Sequence, residues 1–230
     1  VPASEAMKLV LTKEDRENII KKVLDEKLIV IVRGLGKDKM IPLAEAMYKG
    51  GIRLIEVTYA ANGSIPHEVT AESISLINNH FGGDMLVGAG TVLTTKQVEM
   101  TKNAGGSYII SPNVNAKVIK KTIDLKMVSM PGAFSPTEIE MAHECGADFV
   151  KIFPASELGP CYIKAIRAPL SHIKMLAVGG IDHTNLKDYL NVGICGFGMG
   201  SNIVDKKALA DGNYEAITEL AKRFVDAVKE

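Results

Sequence analysis

The sequence predicts an α/β protein of the (β/α)8 (TIM) barrel class with an extra N-terminal helix. Eight short apolar runs alternate with longer amphipathic stretches along the 230 residues, which is the βα repeat of such a barrel. Glycine follows several of the amphipathic stretches, as is typical of helix ends. No linker or low-complexity segment interrupts the pattern, so we expect residues 1–230 to form a single barrel domain.

Each predicted strand is a short apolar run, because the strands of a parallel sheet are buried on both faces. In order, the runs cover residues 28–32, 54–58, 85–87, 108–110, 127–129, 149–152, 175–178 and 196–199. The amphipathic stretches between them predict helices over residues 39–49, 66–79, 95–103, 116–125, 136–145, 162–168 and 184–191. A helix over residues 12–26 is expected to plug the barrel, and one over residues 213–229 closes the chain.

The alternative fold is a doubly wound open sheet. It would need a glycine-rich fingerprint after the first strand, and Arg33-Gly34-Leu35-Gly36-Lys37 matches that fingerprint only weakly.

Composition argues against several classes of function. The formal net charge is zero, so nothing indicates a nucleic-acid partner or a polybasic membrane surface. No apolar run reaches the roughly 18 residues of a membrane span, and the start of the chain has no signal-peptide pattern. The three cysteines and five histidines show no metal-ligand spacing. We therefore expect a cytoplasmic protein with no metal, no cofactor and no membrane partner.

One lysine stands inside the sixth predicted strand, at Lys151. A buried ammonium is costly, so burial should lower the pKa of this lysine and populate the neutral amine near neutral pH. A neutral amine in a dry pocket is the nucleophile of Schiff-base enzymes. The alternative is a lysine that reaches solvent from the strand end.

Alternation of side chains along the strands places three polar residues inside the barrel mouth. Lys151, Glu56 and Arg33 each fall on the inward face of a different strand. The amine could form an imine with a ketone, the carboxylate could move protons, and the guanidinium could bind a substrate carboxylate. Together they predict class I aldolase chemistry on a 2-keto acid, although a buried ion pair that only fills the barrel would give the same pattern.

Glycine loops follow the last two strands. Gly179-Gly180 follows the seventh strand, and Gly200-Ser201 ends a glycine-rich stretch at the eighth. Backbone N–H groups in such loops can bind a phosphate, which is the usual phosphate position in these barrels. Thr91, at the end of the third strand, is a candidate substrate contact.

In this order, the motifs identify a known family. The chain resembles the 2-keto-3-deoxy-6-phosphogluconate/4-hydroxy-2-oxoglutarate aldolases from about Leu28 to the C-terminus. The resemblance rests on Gly50-Gly51-Ile52-Arg53-Leu54-Ile55-Glu56-Val57-Thr58, Val87-Gly88-Ala89-Gly90-Thr91-Val92, Ile110-Ser111-Pro112, Pro131-Gly132-Ala133, Val150-Lys151-Ile152-Phe153-Pro154-Ala155, Gly179-Gly180-Ile181 and Gly200-Ser201.

The resemblance implies a homotrimeric barrel that acts on a small keto acid. It implies that Lys151 is the Schiff-base lysine and Glu56 the general acid and base. It also implies that Thr91, Pro112 and Phe153 line the pyruvate end, and that a phosphate is held by Gly179, Gly180, Gly200 and Ser201.

The chain departs from the family pattern at two positions. Many members have an arginine four residues after the glutamate, where this chain has Ala60, and we hypothesise that Arg33 binds the substrate carboxylate instead. Many also have a threonine before the Gly-Gly pair, where this chain has Val178. The change at Val178 leaves open which sugar acid is the substrate.

Three other functions remain possible at this point. A phosphate-binding barrel isomerase or epimerase would share the glycine loops, but it would have no use for the lysine in the sixth strand. A metal-dependent aldolase would be sensitive to EDTA. A catalytically inactive, ligand-binding barrel should have lost Lys151 or Glu56.

Overall fold

The structure, a computed structural model, describes residues 13–229 and contains nine parallel strands in one sheet. The strands are β1 (Leu28–Val32), β2 (Leu54–Thr58), β3 (Leu86–Gly90), β4 (Tyr108–Ile110), β5 (Val128–Met130), β6 (Gly132–Ala133), β7 (Val150–Ile152), β8 (Met175–Val178) and β9 (Gly196–Met199). Their order is β5-β4-β3-β2-β1-β9-β8-β7-β6.

The two ends of this order are joined at Pro131. Strand β5 pairs with β4 and β6 pairs with β7, although only Pro131 separates β5 from β6 along the chain. The Lys151 N–H donates to the Pro131 carbonyl over 2.8 Å. Proline has no N–H for a ladder, so β5 and β6 are two halves of one barrel strand. The sheet is a nearly closed barrel, and the predicted fold class is confirmed.

Helices surround the sheet and follow the strands in sequence. They are α1 (Lys13–Glu26), α2 (Lys37–Lys49), α3 (His67–Phe81), α4 (Thr95–Asn103), α5 (Ala116–Asp124), α6 (Pro136–Glu144), α7 (Ala155–Arg167), α8 (Leu186–Asn191), α9 (Lys206–Ala210) and α10 (Tyr214–Lys229). Thr12, the predicted start of the first helix, lies outside the described residues. Within residues 13–229, no helix is long and apolar enough to cross a membrane.

Two helices differ from the sequence prediction for local reasons. Helix α7 begins at Ala155 instead of residue 162, because helical turns precede and follow Gly159, whose φ of 75° interrupts the helical backbone. Helix α9 is not predicted from the sequence. The carboxylate of Asp205 caps it by accepting the N–H groups of Lys207 and Ala208 at 2.8 and 3.0 Å.

The barrel interior forms a separate apolar core that α1 closes from below. Ile19 and Val23 of α1 pack against inward side chains of the strands, which include Leu54, Tyr108 and Phe149. Arg16 of α1 also pairs with Asp148 at 2.6 Å, just before β7 begins. Helix α1 therefore plugs the end of the barrel where the strands start, and the opposite end remains open.

Candidate active site

A cavity of about 330 Å³ at the carboxyl ends of the strands brings together all ten site residues predicted from the sequence. They are Lys151, Glu56, Arg33, Thr91, Pro112, Phe153, Gly179, Gly180, Gly200 and Ser201. This is the end of the barrel at which (β/α)8 enzymes place their active sites.

Lys151 is the middle residue of β7 and points into the barrel. Its neighbours Val150 and Ile152 belong to the outer core between strands and helices, so alternation turns the lysine inward. The residue is 7% exposed, and its Nζ lies 4.7 Å from the centre of the Phe153 ring. Burial lowers the pKa of Lys151, the charge of Glu56 opposes this shift, and the charge of Arg33 reinforces it.

Glu56 is the middle residue of β2 and is 3% exposed. Burial raises the pKa of its carboxyl from 4.5 to about 7, although the charges of Lys151 and Arg33 act in the opposite direction. The side chain fits because Gly90 of β3 lies beside it. A Cβ at Gly90 would stand 2.0 Å from Glu56 Oε1, so the glycine is what leaves room for the carboxyl.

Arg33 and Thr91 are linked at the barrel mouth. Arg33, which follows β1, donates from Nη2 to the Thr91 hydroxyl over 3.2 Å. Thr91, which follows β3, has a φ of 54°. This left-handed conformation is rare and strained for a β-branched residue, and such strain concentrates at functional sites. The pair presents a guanidinium and a hydroxyl together to the cavity.

The two glycine loops follow the neighbouring strands β8 and β9 and lie next to each other at the barrel mouth. Gly179 and Gly180 have φ values of 98° and 70°, so both adopt a backbone that favours glycine. A Cβ at Gly180 would also stand 2.2 Å from the Ser156 hydroxyl. Asn202 ties the loops together by donating from its side-chain amide to the Ile181 carbonyl over 2.9 Å.

Asn202 lines the cavity, and the sequence reasoning did not select it as a site residue. Asn202 directly follows Gly200-Ser201 in the sequence. This position beside a predicted phosphate loop is the signal that could have identified it.

Pro112 and Phe153 supply apolar walls to the same cavity. Val178 lines it as well, on the strand that leads to the first glycine loop. Among residues 13–229, no group of three or more histidine, cysteine, aspartate or glutamate side chains could hold a metal ion. The cavity therefore combines a buried amine, a buried carboxyl, a guanidinium and two glycine loops.

Comparison with known proteins points to one family. The model of the family described as KDPG and KHG aldolase matches residues 19–220. A 2-dehydro-3-deoxy-phosphogluconate aldolase of Haemophilus influenzae is 33% identical over 93% of this chain and 98% of its own length. A probable 2-dehydro-3-deoxy-6-phosphogalactonate aldolase of Rhizobium meliloti is 38% identical over 86% of this chain and 92% of its own.

A solved structure is similar over most of its length. The KDPG aldolase from Legionella pneumophila, with pyruvate captured as a covalent carbinolamine intermediate, superimposes with a TM-score of 0.79. It is 30% identical and covers 88% of this chain and 96% of its own.

Proposed function

We propose Lys151 as the Schiff-base residue of this chain, which belongs to the KDPG and KHG aldolase family. The chain is a class I aldolase, a carbon–carbon lyase that cleaves a 2-keto-4-hydroxy acid to pyruvate and an aldehyde. One observation carries the assignment of residues. A buried amine with a lowered pKa and a buried carboxyl with a raised pKa face the same cavity.

The reaction begins on the amine of Lys151. Its neutral form attacks C2 of the keto acid and gives a carbinolamine, which loses water to become an iminium. The iminium accepts the electron pair released when the C3–C4 bond breaks, so C4 leaves as an aldehyde and C1–C3 remain as an enamine. Protonation of the enamine at C3 and hydrolysis of the imine then release pyruvate and regenerate the lysine.

Glu56 moves the protons of these steps. As an acid it protonates the departing hydroxyl of the carbinolamine, and as a base it accepts the proton of the C4 hydroxyl during cleavage. A pKa of about 7 suits both tasks, because both forms of the carboxyl are then well populated at neutral pH.

Arg33 binds the substrate carboxylate in this proposal, in place of the arginine that the family pattern would put at Ala60. Its hydrogen bond to Thr91 supports this role, because the hydrogen bond places a guanidinium and a hydroxyl side by side at one wall of the cavity. A carboxylate can accept from both groups at once. Phe153 and Pro112 then pack against the pyruvate end.

The substrate we propose is a 2-keto-3-deoxy-6-phospho sugar acid. The two glycine loops line the same cavity as Lys151 and Thr91, and their backbone N–H groups and the Ser201 hydroxyl can bind the terminal phosphate. The names of the relatives include both phosphogluconate and phosphogalactonate, which differ in configuration at C4. Kinetics with both acids and with 4-hydroxy-2-oxoglutarate will rank them.

We also propose that the protein is a single-domain homotrimer in the cytoplasm. Phe134, just before α6, and Met141 within α6 are large apolar side chains that the isolated chain exposes, and a subunit interface would cover them. The three cysteines are all unpaired, which suits a reducing compartment. Light scattering should give the mass of three chains, and a monomer would contradict the proposal.

Borohydride trapping tests the assignment of Lys151. Incubation with pyruvate and borohydride should add one reduced pyruvate adduct to the wild-type chain, and a peptide map should place it on Lys151. The variant Lys151→Met should gain none. Lys174→Met, which changes an exposed lysine just before β8, is the matched control and should still be labelled. An adduct on Lys151→Met would show that another amine carries the chemistry.

A further inference from the structure

A second cavity, of about 520 Å³, opens beside the catalytic cavity, between the loop after β1 and helix α9. We call it the side cavity. It shares Ile31, Arg33, Gly200 and Ser201 with the catalytic cavity. A group bound at Ser201 can therefore contact the walls of both.

Two lysines line the side cavity, Lys39 of α2 and Lys206 of α9. Within residues 13–229, neither side chain has an ion-pair or hydrogen-bond partner. A second lysine on each helix is paired: Lys37 of α2 pairs with Glu72, and Lys207 of α9 pairs with Asp211. The unpaired lysines are thus the ones that face the cavity.

No acidic side chain lines the side cavity within the described part of the chain, whereas Arg33 adds a third cation. Three positive groups on a concave wall without a counter-charge raise the local concentration of anions. The remaining walls include apolar side chains such as Leu35 and Leu209, which lower the local dielectric and strengthen the attraction.

The phosphate-binding loops of the proposed function contribute no formal charge of their own. Gly179, Gly180 and Gly200 offer backbone N–H groups, and Ser201 offers a hydroxyl. A phosphate monoester carries close to two negative charges at neutral pH. Its counter-charge has to come from outside the loops, and the side cavity brings two unpaired ammonium groups to the side of Ser201.

We propose that the side cavity is an anion-binding subsite in which Lys39 and Lys206 neutralise a phosphate group held at Gly200 and Ser201. The inference rests on the proposed function insofar as that phosphate is the terminal phosphate of the substrate. Free inorganic phosphate has the same chemistry, and the experiment separates the two sources.

The first arm compares two aldehydes that differ only by the phosphate. Condensation of pyruvate with D-glyceraldehyde 3-phosphate and with D-glyceraldehyde gives a ratio of kcat/KM values for each variant. Lys206→Gln and Lys39→Gln should each lower this ratio by about fivefold, as expected for a partly exposed charge pair. The matched control is Lys207→Gln, whose lysine is already paired with Asp211 and does not line the cavity. It should keep the wild-type ratio.

The second arm measures inhibition of the D-glyceraldehyde reaction by inorganic phosphate. A lower ratio in the first arm assigns the site to the substrate phosphate. An unchanged ratio with weaker inhibition by inorganic phosphate in Lys206→Gln assigns it to free phosphate. If neither quantity differs from that of Lys207→Gln, the subsite does not exist.

Failure of this inference is distinguishable from failure of the proposed function. Exchange of the methyl protons of pyruvate with deuterated water needs the imine and a base but no phosphate. A wild-type protein without exchange would contradict the roles of Lys151 and Glu56. Normal exchange with identical ratios in all variants would contradict only the subsite.

Discussion

Replacement of Glu56 by glutamine should remove the part of the pH dependence of folding stability that this carboxyl causes. Burial raises the pKa of this carboxyl in the folded chain from 4.5 to about 7. The folded state therefore holds a proton that the unfolded state has lost between these two values. By linkage, the unfolding free energy of the wild type falls as pH rises through this window.

The rise in the pKa of Glu56 corresponds to about 3 kcal/mol. Glutamine has nearly the same shape and no proton to lose, so Glu56→Gln lacks this penalty. The difference in unfolding free energy, variant minus wild type, should grow by about 2.5 kcal/mol between pH 5 and pH 8. Loss of the carboxylate also lowers the pKa of Lys151 further, because the opposing charge is gone. The lower pKa of Lys151 also makes the difference in unfolding free energy, variant minus wild type, grow as pH rises.

Urea unfolding at several pH values, at one protein concentration, measures the difference. The exposed Glu144→Gln serves as the matched control for loss of a surface carboxylate. If the curves of wild type and Glu56→Gln run parallel within about 0.5 kcal/mol from pH 5 to pH 8, the carboxyl is not a buried acid with a raised pKa. The assignment of Glu56 as proton carrier would then lose its physical basis.

Three other substitutions test the geometry of the cavity. Gly90→Ala puts a methyl group where Glu56 Oε1 lies, so kcat in a coupled pyruvate assay should fall by about 100-fold. Arg33→Ala should raise the KM for pyruvate in condensation about tenfold through loss of a charged hydrogen bond, while the exposed Arg223→Ala leaves it unchanged. Thr91→Gly should unfold at a free energy about 1 kcal/mol higher than Thr91→Ala, because φ is 54° at this position.

Each of these predictions has a contrary result. A kcat within twofold of wild type in Gly90→Ala would mean that Glu56 can act from another position. An unchanged pyruvate KM in Arg33→Ala would refute the carboxylate contact. Greater stability of Thr91→Ala than of Thr91→Gly would show that Thr91 is not strained in solution.

Most of the barrel could be predicted because each strand is buried on both faces and therefore reads as an apolar run. The predicted bounds of β1, β2, β4, β8 and β9 agree with the structure. Strand β3 was predicted to end at residue 87, because the glycines that follow weaken the sequence pattern of a strand. In the structure it continues to Gly90. Gly88 is needed there, since a Cβ would stand 2.1 Å from the ring of Tyr108.

The interrupted strand at Pro131 could not be predicted from local pattern alone. Sequence suggested one strand over residues 127–129, whereas the structure continues past the proline into β6. The reason is long-range, because the carbonyls of Pro131 and Ala133 accept the N–H groups of Lys151 on β7 and of Phe153 just after it. Only the closure of the barrel supplies those partners.

The site could be predicted to the extent that polar residues interrupt apolar strands. Lys151, Glu56 and Arg33 stood out for that reason, and the structure places all three around one cavity. Their chemical roles stay predictions. The side cavity could not be foreseen, because Lys39 and Lys206 lie far apart along the chain and look like ordinary helix lysines. Helix α9, which positions Lys206, was also missed.

The helix that plugs the barrel has a consequence for where protons can travel. Ile19 and Val23 pack beneath the inward side chains, so within residues 13–229 Glu56 faces a cavity that opens at the mouth, where a keto acid would bind. A deuteron that Glu56 takes from the methyl group of labelled pyruvate should therefore exchange slowly with water while the substrate occupies the mouth. Some of it should return to the molecule from which it came before solvent can replace it, and loosening the floor with Val23→Ala should make that internal return less frequent.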